Sequence, residues 1–134
     1  MAGTTECYVD TSAFIAAMDR SDRHHAVYAR LFAAPPRLVT SSLVVAEGHG
    51  WLLRRYGRSR AIEFLRFIQA LTHLTVLSFG EADLGGVMAM LHKFRDRNIT
   101  LADTHGLLLM KERRINACWS TDRHLGLTGV PLVL

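Results

Sequence analysis

A chain of 134 residues with 49% hydrophobic content is expected to form one compact domain over residues 1–134, burying roughly two thirds of its unfolded surface. No apolar stretch approaches the roughly 20 residues a bilayer demands, and Met1 to Glu6 lack a basic-then-apolar signal pattern, so a membrane protein is disfavoured and the cytoplasm expected. The formal charge of +4, from 16 Lys and Arg against 12 Asp and Glu, admits a polyanionic partner.

Cys7-Tyr8-Val9 reads as a brief strand that runs into Asp10-Thr11-Ser12 and then a small-residue helix, Ala13 to Met18. Ser21, Asp22 and Arg23 make a polar break before a second helix from about His24 to Ala33. Pro35 and Pro36 end it, because proline offers no amide to the helical ladder. Leu38-Val39-Thr40 is a second strand, and Ser41 or Ser42 can cap the helix after it. That helix is expected to pack through Leu43, Val44, Ala46, Gly50, Leu52 and Leu53 until Gly57 stops it. A further helix over Ser59 to Leu71 carries Ile62, Leu65, Ile68 and Leu71 on one stripe, broadened by Phe64 and Phe67.

Leu74 to Leu77 supply a third strand, and Ser78 with Glu81 has capping-box spacing for a helix reaching about Phe94, weakened at Gly85-Gly86. Thr100 opens another helix through Glu112, Ala117 to Ser120 form a fourth strand, and Val130 to Leu134 a short last one. Strands that alternate with helices predict an α/β fold: a central, mainly parallel sheet of four to five strands, right-handed crossovers, and helices on both faces.

In such sheets ligands bind outside the carboxyl ends of the strands, and this gives four acids their meaning. Asp10 and Asp122 follow strands directly, Asp103 lies in the first turn of a helix, and Glu47 lies about one and a half turns into another. Asp10, Asp103 and Asp122 can each be read as a helix cap or as a ligand, whereas Glu47 is too deep in its helix to cap anything. Gathered on one rim, the four repel one another unless cations join them, and Mg²⁺ or Mn²⁺ prefers such oxygen donors. The expected division of labour has Asp10 and Asp103 as principal ligands, Asp122 acting through a water, and Glu47 holding a second ion or orienting the nucleophile.

Thr11, Ser12 and Thr121 can support the carboxylates or a phosphate oxygen, with helix capping as the plainer role. Arg54, Arg55, Arg58 and Arg60 crowd one segment, which suits RNA phosphates and equally a solvated helix face. His49, His105 and His124 each stand two residues after an acid, but on a helix that spacing turns them away from it. His24 and His25 are expected at a helix start or subunit contact, Trp51 and Trp119 in packing, and Cys7 and Cys118 as buried thiols rather than a disulfide.

Read together, several segments resemble the PIN-domain nucleases, and more narrowly the VapC-type toxins of bacterial toxin–antitoxin pairs. They are Tyr8-Val9-Asp10-Thr11-Ser12-Ala13, Asp22 with His25-Ala26, and Val45-Ala46-Glu47 followed by Leu52 to Gly57. Further on come Ala61 with Phe64-Leu65, Asp96 to Asp103, and Ser120-Thr121-Asp122-Arg123-His124-Leu125. The resemblance implies a three-layer α/β/α PIN-like fold, with Asp10, Glu47, Asp103 and Asp122 as the family's acidic positions. It also implies a metal-dependent endoribonuclease acting as a toxin, an RNA substrate, a VapB-type antitoxin and a homodimer. Thr104-His105-Gly106 and Leu125 depart from the usual pattern, which has small residues after the third acid and Phe in the last motif. The competing reading is a catalytically silent PIN-like module that binds RNA or protein. A phosphatase is disfavoured because Ser12 stands where an Asp-x-Asp motif needs its second acid.

Overall fold

The computed structural model describes residues 5–133. Five parallel strands, β1 (Glu6–Val9), β2 (Arg37–Ser41), β3 (Leu74–Leu77), β4 (Cys118–Trp119) and β5 (Leu132–Val133), lie in the order β3-β2-β1-β4-β5. Six helices accompany them in a three-layer α/β/α arrangement: α1 (Thr11–Met18), α2 (His25–Ala33), α3 (Ser42–Tyr56), α4 (Arg58–Ala70), α5 (Leu84–Lys93) and α6 (Leu101–Glu112). Among the described residues no helix is long and apolar enough to cross a membrane.

The three inner strands are apolar on both faces, as a sheet covered on both sides requires. Tyr8, Val9, Val39 and Cys118 are fully buried. Edge strand β3 instead leaves Thr75 and Val76 in solvent. An aromatic cluster joins α1, α2 and α4 to β4: Phe14 stacks on Phe32 at 5.3 Å, and Phe32 meets Trp119 edge-on at 5.0 Å. Each buried ring contributes on the order of 2–3 kcal/mol by leaving water, and each such pair about 1 kcal/mol more. Cys7 and Cys118 are buried free thiols, as expected.

Local chemistry explains most boundaries. Ser41 caps α3 by accepting from the Leu43 amide at 3.0 Å, and Gly57 ends it at φ 91°, a conformation open to glycine. Details depart from the sequence expectation before α5 and along α3 and α4. Ser78 and Glu81 form no capping box; the Asp83 carboxylate accepts from the Gly80 amide at 2.8 Å, and a 3₁₀ turn over Glu81–Asp83 leads into α5. On α4 the residues driven into the core are Ala61 and Phe64, while Leu65 is 40% exposed. Phe67, Ile68 and Leu71 do pack against the core, and α3 buries Val44, Gly48 and Leu52 rather than Ala46 and Leu53, which face solvent. The expected short last strand does form, over Leu132 and Val133, and Leu134 lies outside the described residues.

Helix α6 is buried from Ala102 to Met110, all the way round, so its middle has no solvated face. Gly106 lets it lie against β1: a Cβ there would stand 2.8 Å from the Tyr8 hydroxyl.

Candidate metal centre at the carboxyl edge of the sheet

The chain direction reverses its march across the sheet between β1 and β4, with β2 and β3 built on one side and β4 and β5 on the other. This is the switch point where α/β folds open a crevice. Asp10 leaves the end of β1 there, its amide donating to the Trp119 carbonyl at 3.0 Å, and Asp122 follows β4 three residues later. Helices α3 and α6 bring Glu47 and Asp103. An open cleft of about 360 Å³ is lined by Asp10, Glu47, Asp103 and Asp122 together with Thr11, Ser12 and Arg54. Ile15, Trp51 and Thr100 complete its walls.

Each carboxylate is held differently. Asp10 is 4% exposed and does not cap α1; its Oδ2 accepts from the Ser12 and Ser120 hydroxyls, both at 3.0 Å. Burial raises its pKa to about 6, against the pull of those two hydroxyls, and the nearby Asp103 charge adds to the rise. Asp103 does cap: it accepts from the Thr100 amide at 3.1 Å while its own amide donates to the Thr100 hydroxyl at 3.0 Å. Both of its expected roles are therefore compatible, since one carboxylate oxygen satisfies the cap and the other is left over. Glu47 is exposed and accepts from the Thr11 hydroxyl at 2.5 Å. Asp122 accepts from the His124 amide at 3.0 Å and so begins a 3₁₀ turn over Arg123–Gly126.

That turn brings in a residue which helical reasoning set aside. His124 folds back, its Nδ1 standing 3.3 Å from Asp122 Oδ1. Among the described residues, Asp103, Asp122 and His124 form the group whose ligand atoms all lie within 4.8 Å of one another. Asp10 and Glu47 line the same cleft outside that tight group. A cluster of carboxylate oxygens with one imidazole has the donor chemistry to hold a divalent cation.

The remaining histidines go elsewhere. His105 is fully buried on the far side of α6, its Nδ1 hydrogen-bonded to the Ser41 hydroxyl at 2.6 Å, and burial lowers its pKa. His25 Nδ1 bonds the Ala16 carbonyl at 2.8 Å. Ser120, absent from the expected set, is a buried donor to Asp10 that also accepts from the Asp122 amide at 2.9 Å. Ser12 bridges the same network, accepting from the Thr121 amide at 3.0 Å, so Thr121 enters through its backbone.

The arginines separate. Arg54 reaches the cleft, whereas Arg55 lies over the Trp51 ring at 5.3 Å. Arg60 donates to the Met18 carbonyl at 2.7 Å and pairs with Glu63 at 3.3 Å, and Arg58 is exposed outside the cleft lining. Trp119 packs in the core as expected, but Trp51 is only partly buried and forms a cleft wall.

A parallel five-stranded sheet with a cleft at its switch point places the chain among the α/β proteins that bind ligands beyond the carboxyl ends of their strands. Residues 7–129 match the PIN domain family, and the chain belongs to it. In structure the chain is similar to VapC20 of Mycobacterium tuberculosis, described as a sarcin-ricin loop cleaving toxin, with TM-score 0.84 and 23% identity over 93% of this chain and 96% of that one. It is also similar to PAE2754 of Pyrobaculum aerophilum, with TM-score 0.65 and 22% identity over 96% of this chain and 90% of the other. No curated protein matches the chain by sequence.

Proposed function

We propose that this protein is a metal-dependent endoribonuclease of the VapC toxin type, hydrolysing RNA phosphodiesters in the acidic cleft. The observation that carries the reading is that carboxylates from four separate segments of a PIN-family chain line one cavity. Asp103 and Asp122 with His124 would hold a divalent ion, and Asp10 and Glu47 would complete its surroundings or hold a second. When bound, such an ion acts as a Lewis acid that acidifies water and offsets phosphate charge.

The protein's own residues supply the rest. Ser12 and Ser120 fix Asp10, whose carboxylate at pKa about 6 is mostly ionised at neutral pH and mostly protonated near pH 5. Thr11 fixes Glu47, which is exposed enough to orient a water toward phosphorus. Arg54 at the rim would contact a phosphate, and Arg55 and Arg58 would lie farther along the backbone path, whereas Arg60 is held by the Met18 carbonyl and Glu63. The expected products carry a 5′-phosphate and a 3′-hydroxyl.

A VapB-type antitoxin that covers the cleft and a homodimeric state accompany this reading. Leu84 and Met88, 45% and 67% exposed one turn apart on α5, offer an apolar strip to a second copy. Purified protein freed of any partner is expected to cut structured RNA with Mg²⁺ or Mn²⁺, stop with chelator, and lose cleavage as Asp10→Asn or Asp103→Asn. Cleavage that persists in both variants overturns the assignment, and RNA binding without cleavage in the wild type leaves a silent binding module.

A further inference from the structure

At the opposite edge of the sheet, where β4 and β5 begin, lies a second cleft of about 510 Å³. The core residues Met90, Met110 and Ile115 lie beneath it, and the half-buried Leu127 and Val130 form its apolar wall. Its cations are Lys93, Lys111 and Arg114, no carboxylate lines it, and none of the three makes an ion pair among the described residues. Lys93 and Lys111 stand in the last turns of α5 and α6, where the helix dipoles account for them.

Arg114 sits at φ 53°, the only left-handed residue other than glycine among those described. The Ile115 amide donates to the Met110 carbonyl at 2.9 Å and the Arg114 amide to the Lys111 carbonyl at 3.3 Å, the paired bonds of a Schellman cap on α6. Glycine fills that position without strain, whereas a side chain there is unfavourable. The arginine is tolerated at a backbone cost, and its side chain lines the cleft.

We infer that this cleft is a docking site for an acidic peptide segment of a partner protein, its carboxylates meeting Lys111 and Arg114 while a neighbouring apolar side chain packs against Leu127 and Val130. Charge complementarity selects an anion, and the half-buried Leu127 and Val130 give an apolar neighbour its contact. RNA fits less well, because the lining holds no aromatic ring on which a base could stack. The inference is independent of cleavage at the other edge.

The test is fluorescence anisotropy at physiological salt with full-length protein and a short labelled peptide of alternating glutamate and leucine. Lysine-for-glutamate and serine-for-leucine peptides and a labelled oligouridylate serve as comparisons. Saturable binding of the first peptide and of neither comparison peptide is expected, weakened about tenfold by Arg114→Gly and by Lys111→Ala, with oligouridylate affinity unchanged by either substitution. Arg114→Gly should meanwhile raise Tm by about 2–5 °C, so its weaker binding cannot come from unfolding. Absence of saturable peptide binding, wild-type peptide affinity in both variants, or a fall in oligouridylate affinity in place of peptide affinity would each overturn the inference.

Discussion

The Thr11 hydroxyl donates to the Glu47 carboxylate at 2.5 Å, tying the first turn of α1 to the middle of α3 across the mouth of the acidic cleft. Thr11 is 6% exposed and Glu47 is in solvent, so the bond fixes the orientation of an otherwise free side chain. Thr11→Val keeps the shape and deletes the donor. Its stability cost should stay near 1 kcal/mol, while metal affinity or turnover falls by about 10–100-fold, as for other donors that orient a ligand. Calorimetric titration with Mn²⁺ beside a cleavage assay reads both, and an unchanged metal affinity and rate would show that Glu47 needs no such support.

Asp10 gives a pH signature. Its folded pKa of about 6 lies above the ordinary carboxylate value, so between roughly pH 4 and 6 the unfolded chain ionises while the folded one keeps its proton. Stability from this group is therefore full below pH 4, falls as pH rises, and stays lost above pH 6. In chelator, Asp10→Asn should be more stable than the wild type at pH 8 by at most on the order of 3 kcal/mol, and the advantage should vanish by pH 4. Urea titrations at the two pH values decide it; an asparagine variant that is less stable at pH 8 contradicts the burial argument.

Strand-end acids were legible because the alternation of strand and helix fixes which edge of the sheet they reach, and this holds for Asp10 and Asp122 whatever the details of packing. Asp103 was legible as cap and ligand candidate alike because Thr100 stands three residues before it. His124 was not legible, since the 200° separation of residues two apart belongs to an α-helix and residues 122–124 form the start of a 3₁₀ turn. Ser120 read as an ordinary strand residue, and only the fold shows that its hydroxyl meets Asp10. Trp51 lies four residues after Glu47 and so on the same helix face, a signal that was present but outweighed by the expectation that tryptophan is core.

Gly106 illustrates packing that no periodicity reveals. A Cβ at this position meets the Tyr8 hydroxyl at 2.8 Å and its ring at 2.9 Å, and Tyr8 is fully buried with β1 behind it. Gly106→Ala gains about 1 kcal/mol of helix propensity but forces α6 away from the sheet at a cost of about 1–3 kcal/mol. The net expectation is a lower Tm, whereas Gly85→Ala, with nothing within 4 Å of the added carbon, should raise it. If both variants move Tm upward, the contact between α6 and β1 is looser than described.

The four arginines of the α3–α4 segment divide by what their guanidinium groups already touch. Arg54 lines the acidic cleft, and Gly50 leaves room for it: a Cβ at 50 would stand 3.1 Å from the Arg54 Nη1. Arg60 is engaged with the Met18 carbonyl at 2.7 Å and with Glu63, so its head group is already committed to the fold. Arg54→Glu should weaken RNA binding and lower the slope of log affinity against log salt by about 1, the mark of one lost phosphate contact. Arg60→Glu should lower Tm and leave the slope alone. Filter binding of a catalytically inactive Asp103→Asn background across a salt series separates the two, and equal slopes in both arginine variants would move the RNA path away from the cleft rim.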